Sequence, residues 1–142
     1  MREGRVREGR VRESPLSSTT KGRDAERLAA EHLRAQGFTI LWQNVRIGAL
    51  EVDLVAKRGD LVVIAEVRAR GPGAWARPLA SITWEKRRRL LRAARGLWRG
   101  RLKAMPDVLR VRIDVLAVTL GEGDREAPSI EWIEGALTEQ DG

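Results

Sequence analysis

LEVDLVAKRGDLVVIAEVRAR, residues 50–70, is two apolar runs split by Lys57-Arg58-Gly59-Asp60, and it reads as a β-hairpin. Its charges sit oddly for a core hairpin. Glu51 and Asp53 lie two apart in the first run, Glu66 and Arg68 two apart in the second. Residues i and i+2 of a strand share a face, so each strand carries one charged pair among valine, leucine and isoleucine. A two-residue turn at Gly59-Asp60, which suits type II′ with glycine first, sets Asp53 opposite Glu66 and Glu51 opposite Arg68. A turn at Arg58-Gly59 slips the pairing by two and leaves Asp53 diagonal to Glu66. Either register gathers three carboxylates and a guanidinium on one patch, and a slip of one residue separates them.

At 142 residues the chain has room for one domain with a real core. With no cysteine it has no disulfide, thiolate zinc site or cysteine nucleophile, and its single histidine argues further against zinc. A metal here would be held by carboxylates and water, which suits Mg²⁺ or Mn²⁺. No apolar run approaches the roughly 20 residues of a membrane span. The basic N-terminus lacks the apolar segment of a signal peptide, so a cytoplasmic protein with no membrane partner is the expectation.

Positive charge is concentrated. Residues 2–23 are net +4 and residues 84–103 net +8, in a chain of net +7. The remainder is therefore acidic. Such a footprint favours a polyanion.

Residues 1–20 contain Arg-Glu-Gly-Arg-Val written twice and a Ser/Thr run, the composition of a disordered basic tail. That tail is either an unstructured extension or a nucleic-acid arm. From Lys21 the spacing of Ala25, Leu28, Ala29, His32 and Leu33 predicts a helix ending at Gly37, with His32 packed on its apolar stripe. Glu26 flanks the stripe and either reaches solvent or leans over the sheet. Phe38–Arg46 reads as a strand leading into the hairpin. Residues 71–78, with Trp75, read as a loop long enough to be a flap.

Thr83–Lys103 reads as a helix capped by Thr83, with Leu90, Leu91, Ala94, Leu97 and Trp98 at helical spacing. Lys86, Arg87, Arg88, Arg89, Arg92, Arg95 and Arg99 occupy the remaining surface, and only Glu85 is acidic, which points to phosphate binding. Trp98 is expected in the core. Trp84 is open between the core and stacking on bases. Val108–Val118 and Ile130–Ile133 alternate as strands. The order predicts an α/β or α+β sandwich with a four- to five-stranded sheet.

Gly22-Arg23-Asp24-Ala25-Glu26, Asn44-Val45-Arg46, Glu51-Val52-Asp53-Leu54-Val55-Ala56, Glu66-Val67-Arg68-Ala69-Arg70, Lys86-Arg87-Arg88-Arg89-Leu90, Ile113-Asp114-Val115 and Ile133-Glu134-Gly135-Ala136-Leu137 together resemble the YraN family of endonuclease-like proteins. The resemblance covers about residues 21–137. It implies a nuclease-like domain over residues 21–138, with 139–142 as a C-terminal tail. The fold it implies is a restriction-endonuclease-like α/β sandwich of the PD-(D/E)xK superfamily, with a central mixed sheet flanked by helices. Archaeal Holliday junction resolvases are similar.

Carried over residue by residue, the resemblance makes Asp53 and Glu66 metal-binding acids and Arg68 the occupant of the lysine position. Glu26 becomes the helix glutamate, a further candidate metal ligand, and Glu51 a supporting group behind the ligands. Arg70, Trp75, Trp84, Lys86, Arg87, Arg88, Arg89 and Arg92 are the expected nucleic-acid contacts. The expectation is a Mg²⁺- or Mn²⁺-dependent endonuclease acting on DNA, favoured over RNA, with branched or structured DNA as a candidate substrate. A homodimer would suit a two-stranded cut. The alternative is a catalytically inactive nucleic-acid-binding module on the same scaffold. Leu50 stands where the family usually has glycine, and Arg68 where the superfamily has lysine. Arginine clamps phosphate but does not deprotonate, so it suits an electrostatic role. The same four charges could also form a cross-strand salt-bridge cluster.

Overall fold

The computed structural model describes residues 18–71, 82–121 and 127–137. Trp75 and most of the expected 71–78 flap lie outside them, as do residues 1–17 and 138–142. The elements run α1 (Ser18–Ala35), β1 (Thr39–Ile47), β2 (Leu50–Arg58), β3 (Leu61–Arg70), α2 (Trp84–Gly100), β4 (Arg110–Thr119) and β5 (Ser129–Leu137), with a 3₁₀ turn at Leu102–Ala104. They form the expected α/β architecture, a mixed five-stranded sheet in the order β1-β2-β3-β4-β5. β3 and β4 are parallel, joined across α2, and every other neighbouring pair is antiparallel.

The central hairpin takes the Gly59-Asp60 turn. Arg58 pairs with Leu61, and the ladder continues to Leu54 opposite Ala65. Gly59 has φ 61°, as the first residue of a type II′ turn requires. Alternate residues of β3 then serve two cores. Val62 and Ile64 pack on the side of α2, with Leu90, Leu91, Ala93 and Leu97. Val63 and Ala65 pack on the side of α1, with Ala25, Ala29, Ala30 and Leu33. The two helices therefore cover opposite faces of the sheet.

α1 runs from Ser18, three residues before the predicted start at Lys21. α2 is capped as predicted: the Thr83 hydroxyl accepts from the Lys86 N–H at 3.1 Å. The phase of α2 differs from the prediction. Ala93 is buried and Trp98 stands at the margin, 39% exposed. Small residues are the cause. A Cβ on Gly96 would lie 2.5 Å from Ile47 Cγ2, so the helix rests on β1 with its Ala93–Gly96 side, and Trp98, two residues on, is turned away from that contact. His32 is packed as expected, edge-on to Trp132 with ring centroids 5.6 Å apart.

Candidate functional site

Beyond Leu54–Ala65 the β2–β3 ladder gives way to a side chain. Asp53 Oδ2 accepts the Val67 N–H at 2.8 Å, taking a donor that a neighbouring strand would otherwise use. Asp53 is thereby anchored at the open end of the hairpin. The register that pairs Leu54 with Ala65 carries on to Asp53 beside Glu66. Glu66 has the strand parity of Val62 and Ile64, so it follows them to the α2 face.

Glu66 is only 3% exposed. Its Oε2 lies 3.5 Å from Lys86 Nζ and 3.8 Å from Arg68 Nη1. Its Oε1 is buried with no hydrogen-bond partner. Burial and then repulsion from Asp53 raise its pKa from 4.5 to about 7, with Lys86 and Arg68 opposing. A proton shared with Asp53 adds to the rise, and once Glu66 ionises its Oε1 is a buried oxygen with no donor, a costly feature that folding alone does not call for. Perturbed acids of this kind concentrate at functional sites.

A recess of about 190 Å³ opens beside the pair, lined by Leu50, Glu51, Asp53, Lys86 and Arg89 among others. Glu51 is exposed at its rim, so the acidic patch expected from strand parity forms in part here. Leu50 sits at the start of β2, partly buried against the α2-side core. The glycine conformation of this turn is instead taken by Gly48, with φ 61°.

Glu26 leans over the sheet from the α1 side. Its pKa is raised by burial, then by repulsion from Asp53, while a hydrogen bond from the Asn44 side chain opposes the shift. Asn44 reaches it from a left-handed backbone at φ 51°, a conformation asparagine tolerates better than most residues. Glu26 shares a separate recess with Arg23, Arg27 and Gln43. Among the described residues no group of three or more His, Asp or Glu side chains is gathered closely enough to hold a metal. The two acids that come together are Asp53 and Glu66.

The expected nucleic-acid contacts divide. Arg88, Arg89 and Arg92 are exposed on α2, together lining a shallow recess with Glu85. Trp84 is 55% exposed. Arg87 turns back, its Nε donating to the Ile82 carbonyl at 3.2 Å. Arg70 faces β5, 3.8 Å from Glu131. Lys86 points at Glu66. Periodicity held the signal for this last placement, since Lys86, Leu90, Ala93 and Leu97 follow i, i+4, i+7, i+11 and Lys86 opens the stripe that faces the sheet.

Sequence reading did not identify the role of Asp114. It is fully buried and accepts from Arg112 Nε and Nη2 at 2.8 and 2.9 Å, Trp132 Nε1 at 2.8 Å and the Gly135 N–H at 2.9 Å. The register of β4 and β5 shifts at this point, where Gly135 takes φ 59°. Asp114 pins β5 to the sheet and is saturated with donors, which marks it as structural.

The profile described as Uncharacterised protein family UPF0102 matches residues 25–118. A UPF0102 protein of Sorangium cellulosum is 44% identical over 98 residues, covering 69% of this chain and 68% of that one. One from Pseudomonas aeruginosa is 40% identical over 123 residues, 85% of this chain and 94% of the relative. One from Nitrosomonas europaea is 38% identical over 123 residues, 87% and 98% of the two chains.

Proposed function

This chain belongs to the uncharacterised protein family UPF0102, the YraN family its motifs resemble, and from that premise we propose that it is a metal-dependent endonuclease hydrolysing DNA phosphodiesters. The observation that carries the proposal is the pairing of half-buried Asp53 with buried Glu66, one of whose oxygens has no protein partner, beneath the cationic helix α2. Mg²⁺ is commonly held by one or two carboxylates while keeping its waters, and Asp53, which lines the recess, together with its neighbour Glu66 behind it fits that need. When bound, the ion would supply a Lewis acid and lower the pKa of a coordinated water.

The chain's own groups do the rest. Asp53 is held in one orientation by the Val67 N–H. Glu66 contributes the unpartnered oxygen. Lys86 and Arg68 flank Glu66 and provide fixed positive charge where negative charge develops on the phosphate. Arg68 is suited to clamping phosphate oxygens, leaving Lys86 as the compact ammonium the resemblance places on the strand. Arg88, Arg89 and Arg92 hold the backbone of the DNA.

The test is cleavage of duplex, single-stranded and branched DNA, and of RNA, with Mg²⁺ or Mn²⁺. Asp53→Asn keeps an oxygen for Val67 and should abolish cleavage while nucleic-acid binding survives. Failure of the wild type to cut any of these substrates with either metal would refute the enzymatic proposal. The alternative, an inactive nucleic-acid-binding module, draws on the near-neutral cluster that Lys86 and Arg68 make with the two acids. It predicts binding indifferent to EDTA and no Mn²⁺ uptake in a calorimetric titration.

A further inference from the structure

Trp98, whose spacing predicts a core position, instead lines a trough of about 760 Å³ between the second half of α2 and the β4–β5 edge. Leu109 and Val111 line it too, 71% and 36% exposed. Arg95 and Arg99 line it from the helix, and Arg112, engaged by Asp114 and Glu134, lines it from β4. A ligand flat and apolar on one side and anionic on the other would complement an apolar trough beside a helix of such charge.

Arg89 links the trough to the carboxylate pair, because it lines both the recess at Asp53 and the shallow recess that holds Arg88 and Arg92. Arg88, Arg92, Arg95 and Arg99 follow i, i+4, i+7, i+11, one stripe about 16 Å long. Its first two members line the recess with Arg89, and its last two line the trough. A phosphate backbone leaving the Asp53–Glu66 site can therefore track across α2 and arrive beside Trp98.

We infer that the trough receives unpaired nucleobases, so that the protein holds a single-stranded segment with its phosphates on the Arg88–Arg99 stripe and its bases against Trp98, Leu109 and Val111. Every base has a face that stacks on an aromatic ring, whereas a duplex keeps those faces covered. The inference rests on the nucleic-acid reading of α2 and narrows it to single-stranded or locally unpaired substrate.

Fluorescence anisotropy in EDTA, with the full chain and either a labelled oligothymidylate or a duplex of equal length, tests it without metal chemistry. Trp98→Ala should weaken single-strand binding about 10- to 100-fold, the scale of one base stack, and change duplex binding by less than about twofold. Trp98→Phe keeps a ring and should retain most of the affinity. Leu109→Asp, at a position too exposed to disturb folding, should reproduce the loss. Equal losses on duplex and single strand, or unchanged single-strand binding in both Trp98→Ala and Leu109→Asp, would overturn the inference. So would a wild-type dimer that Leu109→Asp splits, since a second copy would then cover the trough. A protein that cuts DNA but makes no such distinction refutes the inference alone, and one that binds no nucleic acid removes the reading beneath it as well.

Discussion

Replacing Glu66 with glutamine should make the protein more stable above neutral pH, and the structure sets how much. The folded state holds the Glu66 pKa at about 7, against 4.5 for the unconstrained side chain, because burial and Asp53 disfavour its charge more than Lys86 and Arg68 favour it. The folded protein therefore binds the proton more tightly than the unfolded chain. Stability from this group is fully present below about pH 4.5 and is lost as pH rises to about 7. The loss is about 3 kcal/mol in total.

A glutamine side chain in this place resembles the protonated acid, with a carbonyl for Lys86 or Arg68 and an amide that can donate to Asp53. Wild type and Glu66→Gln should therefore melt close together at pH 4.5. At pH 8 the variant should be the more stable by up to about 3 kcal/mol, on the order of 10 °C in a domain of this size. Thermal melts in EDTA across that range read the difference directly. Mn²⁺ at about 100 times its Kd should restore about 2.7 kcal/mol to the wild type alone, because only the ionised pair holds it. Parallel pH profiles for the two proteins, or a variant less stable at pH 8, would refute the account of Glu66 as a site held at a cost to the fold.

Lys86→Met should lower kcat for cleavage by about 10²–10³ with KM nearly unchanged, and steady-state kinetics showing a change in KM alone would make Lys86 a binding residue. Asp114→Asn sets an amide donor among four donors, and urea unfolding should show a loss of about 3–5 kcal/mol; a loss near zero would mean that the β4–β5 junction tolerates rearrangement. Gly96→Ala should cost about 1–3 kcal/mol by forcing α2 off Ile47, and pairing it with Ile47→Ala should recover part of that loss, a coupling that a double-mutant cycle measures.

The hairpin was legible in the sequence because strand parity is local. Gly59-Asp60 needs one glycine at positive φ, and once that turn forms, the pairing of Arg58 with Leu61 propagates to the acids without further information. The phase of α2 was not legible in the same way. Its apolar residues span a wide arc, and which part meets the sheet depends on how near the backbones can come. That distance is set by Gly96 against Ile47, two residues 49 positions apart in the chain. The same rotation moved Trp98 out of the core and aimed Lys86 into the site. Asp114 was hidden for another reason: its partners come from β4, Trp132 and the Gly135 bulge, and nothing in strand alternation marks a carboxylate that will be enclosed.

Arg68 and Lys86 are best understood together. A strand residue two beyond Glu66 shares its face and must lie near it, so a cation at that position is favoured by geometry whatever its chemistry. Arginine there spreads its charge over a planar fork, is 37% exposed, and on the proposed function would meet an incoming phosphate. Lysine on the helix reaches the same carboxylate oxygen slightly more closely, 3.5 against 3.8 Å, from the first turn of an element capped by Thr83. Arginine at residue 68, where the superfamily the motifs resemble has lysine, therefore does not remove an ammonium from the site, because α2 delivers one. The cap, the sheet-facing stripe and the close approach at Gly96 all act on the position of Lys86, so that a change far along the helix should be felt at Glu66.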